Sequence, residues 1–137
     1  MFPIRVLLVD DSPAFARASK YFFASLDNVN VVGRASCGEQ AVELVTALAP
    51  DLIVMDLAMP GMGGLAATQQ IKQSASAPKV LILTLHNGSI YRQGAHRAGA
   101  DGFLAKDDLV SQLPAFLAAT FPAGGQGRPD GLRAAAG

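Results

Sequence analysis

Residues 51–64 read DLIVMDLAMPGMGG. Leu52, Ile53, Val54 and Met55 follow one another without a polar break, and the run stops at Asp56. A strand with one wet face alternates apolar and polar residues. A continuous run belongs to a strand covered on both faces, as in a parallel sheet. Four more runs share the chain with it, at residues 4–9, 29–32, 80–85 and 102–105.

Helical patterns lie between the runs. After DDSP, Phe15, Ala18, Phe22 and Leu26 recur at three- and four-residue steps, one apolar stripe. Pro13 suits a first helical position. In SCGEQAVELVTAL, Ser36 and Glu39 have capping-box spacing, with Ala41, Leu44, Val45 and Leu48 as the stripe. A third helix is expected over 64–72, with Leu65, Thr68 and Ile71 inward. A fourth, weaker one is expected over 89–98: Ile90, Ala95 and Ala98 form its apolar side, Gly94 interrupts it and Gly99 ends it. The fifth contains SQLPAFLAATF and should start near Ser111, which puts Pro114 in its first turn. Five strand–helix pairs imply right-handed crossovers and an α/β fold, a doubly wound five-stranded parallel sheet flanked by five helices.

The 137 residues suit one domain, expected over 1–120. Residues 121–137, rich in glycine, proline and alanine, read as a flexible tail with no output domain. Half of the residues are apolar and 16% are charged, which fits a globule and not a disordered chain. Lysine plus arginine equals aspartate plus glutamate, 11 against 11. No global field draws this chain to nucleic acid or to a membrane surface. The single cysteine, Cys37, excludes an internal disulfide and suits a cytoplasmic location. No apolar run approaches the roughly 20 residues that span a bilayer, and no signal peptide is apparent.

In an open α/β sheet the site lies beyond the carboxyl ends of the strands. There the sequence places Asp10 and Asp11, then Asp56, Thr84 and Lys106. Three carboxylates, a hydroxyl and an ammonium thus converge from four strands; the second run leads only to Ala35, Ser36 and Cys37. Clustered carboxylates repel and call for a cation. Hard oxygen donors with room for retained water suit Mg²⁺, which also bridges phosphoryl oxygens during transfer. A carboxylate can itself be the nucleophile, and Asp56, on the middle of the three acid-bearing segments, is the best candidate. Lys106 would meet a phosphoryl oxygen as a point charge, and Thr84 would offer its hydroxyl to another.

VLLVDDS, DLIVMDLAMPGMGG, VLILTLHN and AGADGFLAKDD, in that order over residues 4 to about 119, resemble the receiver domain of two-component response regulators. The wording is closest to receivers that usually carry a helix-turn-helix output domain. The resemblance implies the flavodoxin-like receiver fold and a role for each matching residue. Asp56 is then the phosphoacceptor. Asp10 and Asp11 are the acidic pair, with Asp11 the direct Mg²⁺ ligand and Asp10 acting partly through water. The Ala58 carbonyl is the backbone metal ligand. Thr84 and Phe103 are the switch pair, Lys106 is the active-site lysine, and Pro60 and Gly64 shape the loop. A sensor histidine kinase or phosphotransfer protein is the implied donor. A homodimer through the face of the fourth helix, fifth strand and fifth helix is an implied partner. The chain would be no enzyme beyond Mg²⁺-dependent self-phosphorylation and autodephosphorylation.

Besides Phe103, which lacks a tyrosine hydroxyl for an outer hydrogen bond to a partner, three positions depart from the pattern. Ala58 stands where a polar or bulkier residue is common, Leu85 replaces a small residue, and Asp107 follows Lys106 in place of proline. A cis bond before a non-proline costs about 2.5–4 kcal/mol, so none is expected there. Plainer readings compete. Asp10 and Asp11 could serve only the helix start, at about 0.5–2 kcal/mol. His86 and His96 read as surface residues, Cys37 as a small hydrophobe, and Met55, Met59 and Met62 as packing. Two other functions are open to such a site. A haloacid-dehalogenase-type phosphohydrolase would want an acid where Ala58 stands. A phosphorylation-independent interaction module is the alternative that Leu85 keeps in play. No DNA-binding helices are expected after Phe121. The sequence fits a stand-alone receiver or the front piece of a longer transcriptional regulator.

Overall fold

A computed structural model describes residues 2–59, 61–85 and 89–125, though not the side chains of 89 and 90. Pro60, His86, the Ile90 side chain and the stretch beyond 125 therefore lie outside the described residues. Strands β1 (Ile4–Val9), β2 (Val29–Ala35), β3 (Leu52–Asp56), β4 (Lys79–Thr84) and β5 (Gly102–Ala105) alternate with α1 (Pro13–Ala24), α2 (Gly38–Leu48), α3 (Gly64–Ile71), α4 (Ser89–Ala98) and α5 (Leu109–Thr120). The strands form one parallel sheet in the order β2-β1-β3-β4-β5. This is the expected doubly wound architecture.

The unbroken apolar runs have a direct cause. Alternate residues of each central strand enter two different cores. Ile4, Val6, Leu8, Leu52, Val54, Leu81 and Leu83 join Phe23 of α1 and Leu109, Leu113 and Leu117 of α5 on one face. Leu7, Val9, Ile53, Met55, Val80 and Ile82 join Ala41 of α2, Ala67 and Ile71 of α3 and Ala95 of α4 on the other. Nearly all of these strand side chains are fully buried, and each such aliphatic side chain contributes roughly 1.5–3 kcal/mol. The crossovers change face between β1 and β3, so a crevice opens at the carboxyl ends of those two strands.

Several helix details differ from expectation. In α1 the inward stripe is Ala16, Ser19 and Phe23, flanked by the half-buried Phe15, Phe22 and Leu26; Ala18 is exposed. Three of the four expected stripe residues thus pack against this core, and the deepest row lies one position further round the helix. The capping box at α2 does not form. Cys37 is the N-cap, without a side-chain cap bond. The Ser36 backbone N–H donates to Gln40 Oε1 at 2.9 Å, and Glu39 Oε1 accepts from the Met62 N–H at 3.3 Å. Helix α5 starts at Leu109 after a 3₁₀ turn, Lys106–Asp108, so Pro114 lies inside the helix and not in its first turn. Its missing N–H would have bonded the Val110 carbonyl, and both residues are exposed, so water can serve instead. The packed body also extends beyond residue 120: Phe121 is buried in the α1/α5-side core, and the Gly125 N–H donates to the Phe2 carbonyl at 2.8 Å.

No helix among the described residues is long and apolar enough to cross a membrane.

Candidate functional site

The crevice is built from the four strand ends that the sequence points to. Asp10 directly follows β1, and its backbone N–H donates to the Ala35 carbonyl at 3.0 Å. Its carboxylate is buried; Oδ1 accepts from the Ser12 N–H at 2.8 Å. Ser12 is the N-cap of α1, with its Oγ accepting from the Phe15 N–H at 3.2 Å. Both readings of the doubled acid therefore have a physical basis. Asp10 and Ser12 build the helix start, while Asp11 stays exposed at the crevice.

Asp56 closes β3 and is 6% exposed. One oxygen each from Asp10, Asp11 and Asp56 lies within 4.8 Å of the others. Lys106 reaches over from the end of β5. Its Nζ is 2.9 Å from Asp10 Oδ2 and 3.6 Å from Asp56 Oδ1, and its side chain is only 10% exposed. The Asp10 contact is an ion pair without hydrogen-bond alignment. Three carboxylates against one ammonium leave an excess of negative charge. Burial and the Asp10 charge push the Asp56 carboxyl up to about 6; Lys106 and the Ala58 N–H, which donates to it, pull in the other direction, and Asp11 raises it further. A carboxyl held this high near neutral pH marks a site that gains from a bound cation.

The other expected residues fall around this centre. Thr84 ends β4 and is 2% exposed; Asp56 pairs in register with Leu83, one residue before it. Ala58 is exposed just after the strand. Gly64, at the start of α3, donates its N–H to the Leu57 carbonyl at 3.1 Å, and a Cβ there would run into the Asp56 carbonyl. Only glycine lets the loop close this tightly on Asp56. Phe103 is buried among the α3/α4-side core residues, with β4 between its strand and that of Asp56, and the Arg92 guanidinium lies 4.9 Å from its ring centroid. Leu85 is 77% exposed beside Thr84. None of the peptide bonds among the described residues is cis, including Lys106–Asp107.

Two neighbours escape sequence reasoning. Arg34, on the edge strand, donates from Nη2 to the Asp10 carbonyl at 2.9 Å. Phe15, in the first turn of α1, places its ring 4.3 Å from the Lys106 ammonium. Arg34 carries no local signal. Phe15 is one turn past the Ser12 cap, but only the fold brings it to Lys106.

Residues 6–117 match the family model of the response regulator receiver domain. The response regulator UvrY of Escherichia coli O6:H1 is 41% identical over 103 residues, 75% of this chain and 47% of that protein. The nitrate/nitrite response regulator NarL of Escherichia coli K12 is 37% identical over 115 residues, 81% and 53% of the two chains. Among solved structures, the signal receiver domain of NarL from Mycobacterium tuberculosis superposes with a TM-score of 0.80 at 32% identity, covering 93% of this chain and all of that one. A LuxR-family two-component response regulator from Aurantimonas gives 0.78 at 35%, covering 85% and 86%. The chain spans about half the length of the curated relatives it matches. These relatives lend no support to a phosphorylation-independent module. With the fold, the acid-lined crevice and the family match in agreement, the chain belongs to the receiver domains of two-component response regulators.

Proposed function

We propose that this receiver accepts a phosphoryl group on Asp56 from the phosphohistidine of a sensor histidine kinase or phosphotransfer protein. The observation that carries the reading is the buried Asp56 between Asp10, Asp11 and Lys106. An oxygen of Asp56 forms the bond to phosphorus. The phosphorus–nitrogen bond breaks, and its electron pair stays with the departing imidazole. Hard carboxylate oxygens this close suit Mg²⁺. Asp10, Asp11, Asp56 and the Ala58 carbonyl would hold it, and when bound it offsets negative charge on the phosphoryl oxygens. Asp10 already serves Ser12 and Lys106, whereas Asp11 is exposed, which supports Asp11 as the direct ligand and Asp10 as one acting through water.

Lys106 then pairs with a phosphoryl oxygen and Thr84 donates its hydroxyl to another. Phe103, buried behind them, follows Thr84 and alters the face of α4, β5 and α5, through which two copies pair. Shifting such a switch from 1:99 to 99:1 requires roughly 5.5 kcal/mol of differential stabilisation. The chain performs no catalysis beyond its own Mg²⁺-dependent phosphorylation and dephosphorylation, and it works in the cytoplasm. It is the receiver part of a longer transcriptional regulator whose DNA recognition belongs to a separate output module, a reading supported by the chain spanning about half the length of the response regulators it matches. Residues 1–120 with the docked segment to 125 form the receiver.

Acetyl phosphate or beryllofluoride with Mg²⁺ tests the reading. The wild type should take up the group, seen by mass spectrometry or by a shift in amide spectra, and Asp56→Asn should not. An unresponsive wild type refutes it.

A further inference from the structure

We infer that Phe15 is a positioning residue for Lys106, its ring forming the third wall of the socket that aims the ammonium at Asp56. The inference rests on Asp56 being the phosphoacceptor. Lys106 Nζ has Asp10 Oδ2 at 2.9 Å, Asp56 Oδ1 at 3.6 Å and the Phe15 ring centroid at 4.3 Å. The Lys106 side chain is only 10% exposed, so little of it meets water. An aromatic face is attractive to a cation, and more so where water is excluded.

Phe15 also packs against the α1/α5-side core, which would be reason enough for an apolar residue there. An aliphatic residue would fill that space equally well. It would leave the ammonium facing hydrocarbon, where an incompletely paired charge is costly. The π face has a second advantage. Its attraction depends little on where the N–H bonds point, so Lys106 can swing from Asp10 toward a phosphoryl oxygen without losing this wall. The N-cap bond from the Phe15 N–H to Ser12 Oγ fixes the backbone from which the ring projects. The residue that starts the helix beside the acids thus shares its turn with the residue that seats the lysine.

The test compares Phe15→Leu, Phe15→Tyr and wild type in phosphorylation by acetyl phosphate at saturating Mg²⁺, with thermal melts as the folding control. Phe15→Leu should slow phosphorylation about three- to tenfold, the size of a partly desolvated cation–π contact. Phe15→Tyr, which keeps the ring face, should restore the rate. In the wild type the ring should shift the Lys106 ε-methylene protons upfield in NMR spectra, a signature that Phe15→Leu abolishes. Equal rates for Leu and wild type, equal losses for Leu and Tyr, or the absence of that upfield shift would overturn the inference. A wild type that takes no phosphoryl group would instead overturn the underlying reading, and it is measured before any variant.

Discussion

Both ends of the sheet bury a carboxylate, but they treat it differently. At the amino end, Asp51 is 4% exposed and sits among strand starts. Its Oδ2 accepts the Arg5 N–H at 2.9 Å, its own N–H donates to the Arg5 carbonyl at 2.8 Å, and its carbonyl accepts from the Lys79 N–H at 3.0 Å. Nearby, Asp101 takes the Val80 N–H at 2.9 Å and pairs with Lys72 at 3.0 Å. Parallel strands direct unpaired N–H groups toward their starts, so carboxylates there are satisfied within the chain. At the carboxyl end, Asp56 is nearly as buried but faces other acids, and its carboxyl is pushed up to about 6. Similar burial yields a structural clamp at one pole and an unbalanced, cation-seeking centre at the other. At similar depth a backbone N–H answers the Asp51 carboxylate, whereas burial and the neighbouring acids together leave Asp56 unbalanced.

The contrast breaks most sharply under paired substitution. Asp56→Asn should abolish phosphoryl uptake from acetyl phosphate, while Asp51→Asn should leave it intact, both read by mass spectrometry of folded protein. If Asp51→Asn also loses uptake, the two poles are not independent.

Acid sharpens the contrast next. A proton competes with a cation for Asp56, so Mg²⁺ affinity should fall about tenfold per pH unit below about 6. Calorimetric titrations between pH 7.5 and 5 would record it, and a flat profile would deny Asp56 its raised position.

Stability should then move in opposite directions. With its carboxyl raised from 3.8 to about 6, Asp56 contributes fully to stability below about pH 4. That contribution is lost as pH rises through about 6, because folding must then keep a disfavoured charge. Asp56→Asn without Mg²⁺ should therefore gain about 2–3 kcal/mol at pH 7.5 and nothing near pH 4. Asp51→Asn, which disturbs satisfied hydrogen bonds, should lose about 1–3 kcal/mol. Urea unfolding at the two pH values would measure both. The smallest effect belongs to Ser12→Ala, which removes the α1 cap and should cost about 1 kcal/mol in the same unfolding experiment.

How far the sequence could be read follows the same physical lines. The bounds of β1 and β5 are legible because apolar runs stop there at charged residues. The edge strand β2 extends past its apolar run through Gly33 and Arg34, where half exposure relaxes the need for apolar side chains. The carboxylates and Lys106 are legible because each stands at a strand end, and topology alone brings strand ends together. What stays hidden is set by tertiary choice. Glu39 abandons its cap for the Met62 N–H, α1 turns a neighbouring stripe inward, and Pro114 is tolerated because its side of α5 is wet. Phe15 and Arg34 join the site from helix and edge positions that carry no motif.

The bond between Gly125 and Phe2 has a consequence for architecture. It brings the two ends of the described body together at the pole where β1 begins, and a Cβ at Gly125 would strike the Pro3 carbonyl. The unit is thus a nearly closed loop of chain, with entry and exit side by side and Asp56 at the far pole. A short peptide could join 125 to 2, and new termini could be cut in an exposed turn such as 73–76, to give a circular permutant with the crevice untouched. Sequence fused at either end would emerge from the same point and leave the crevice clear.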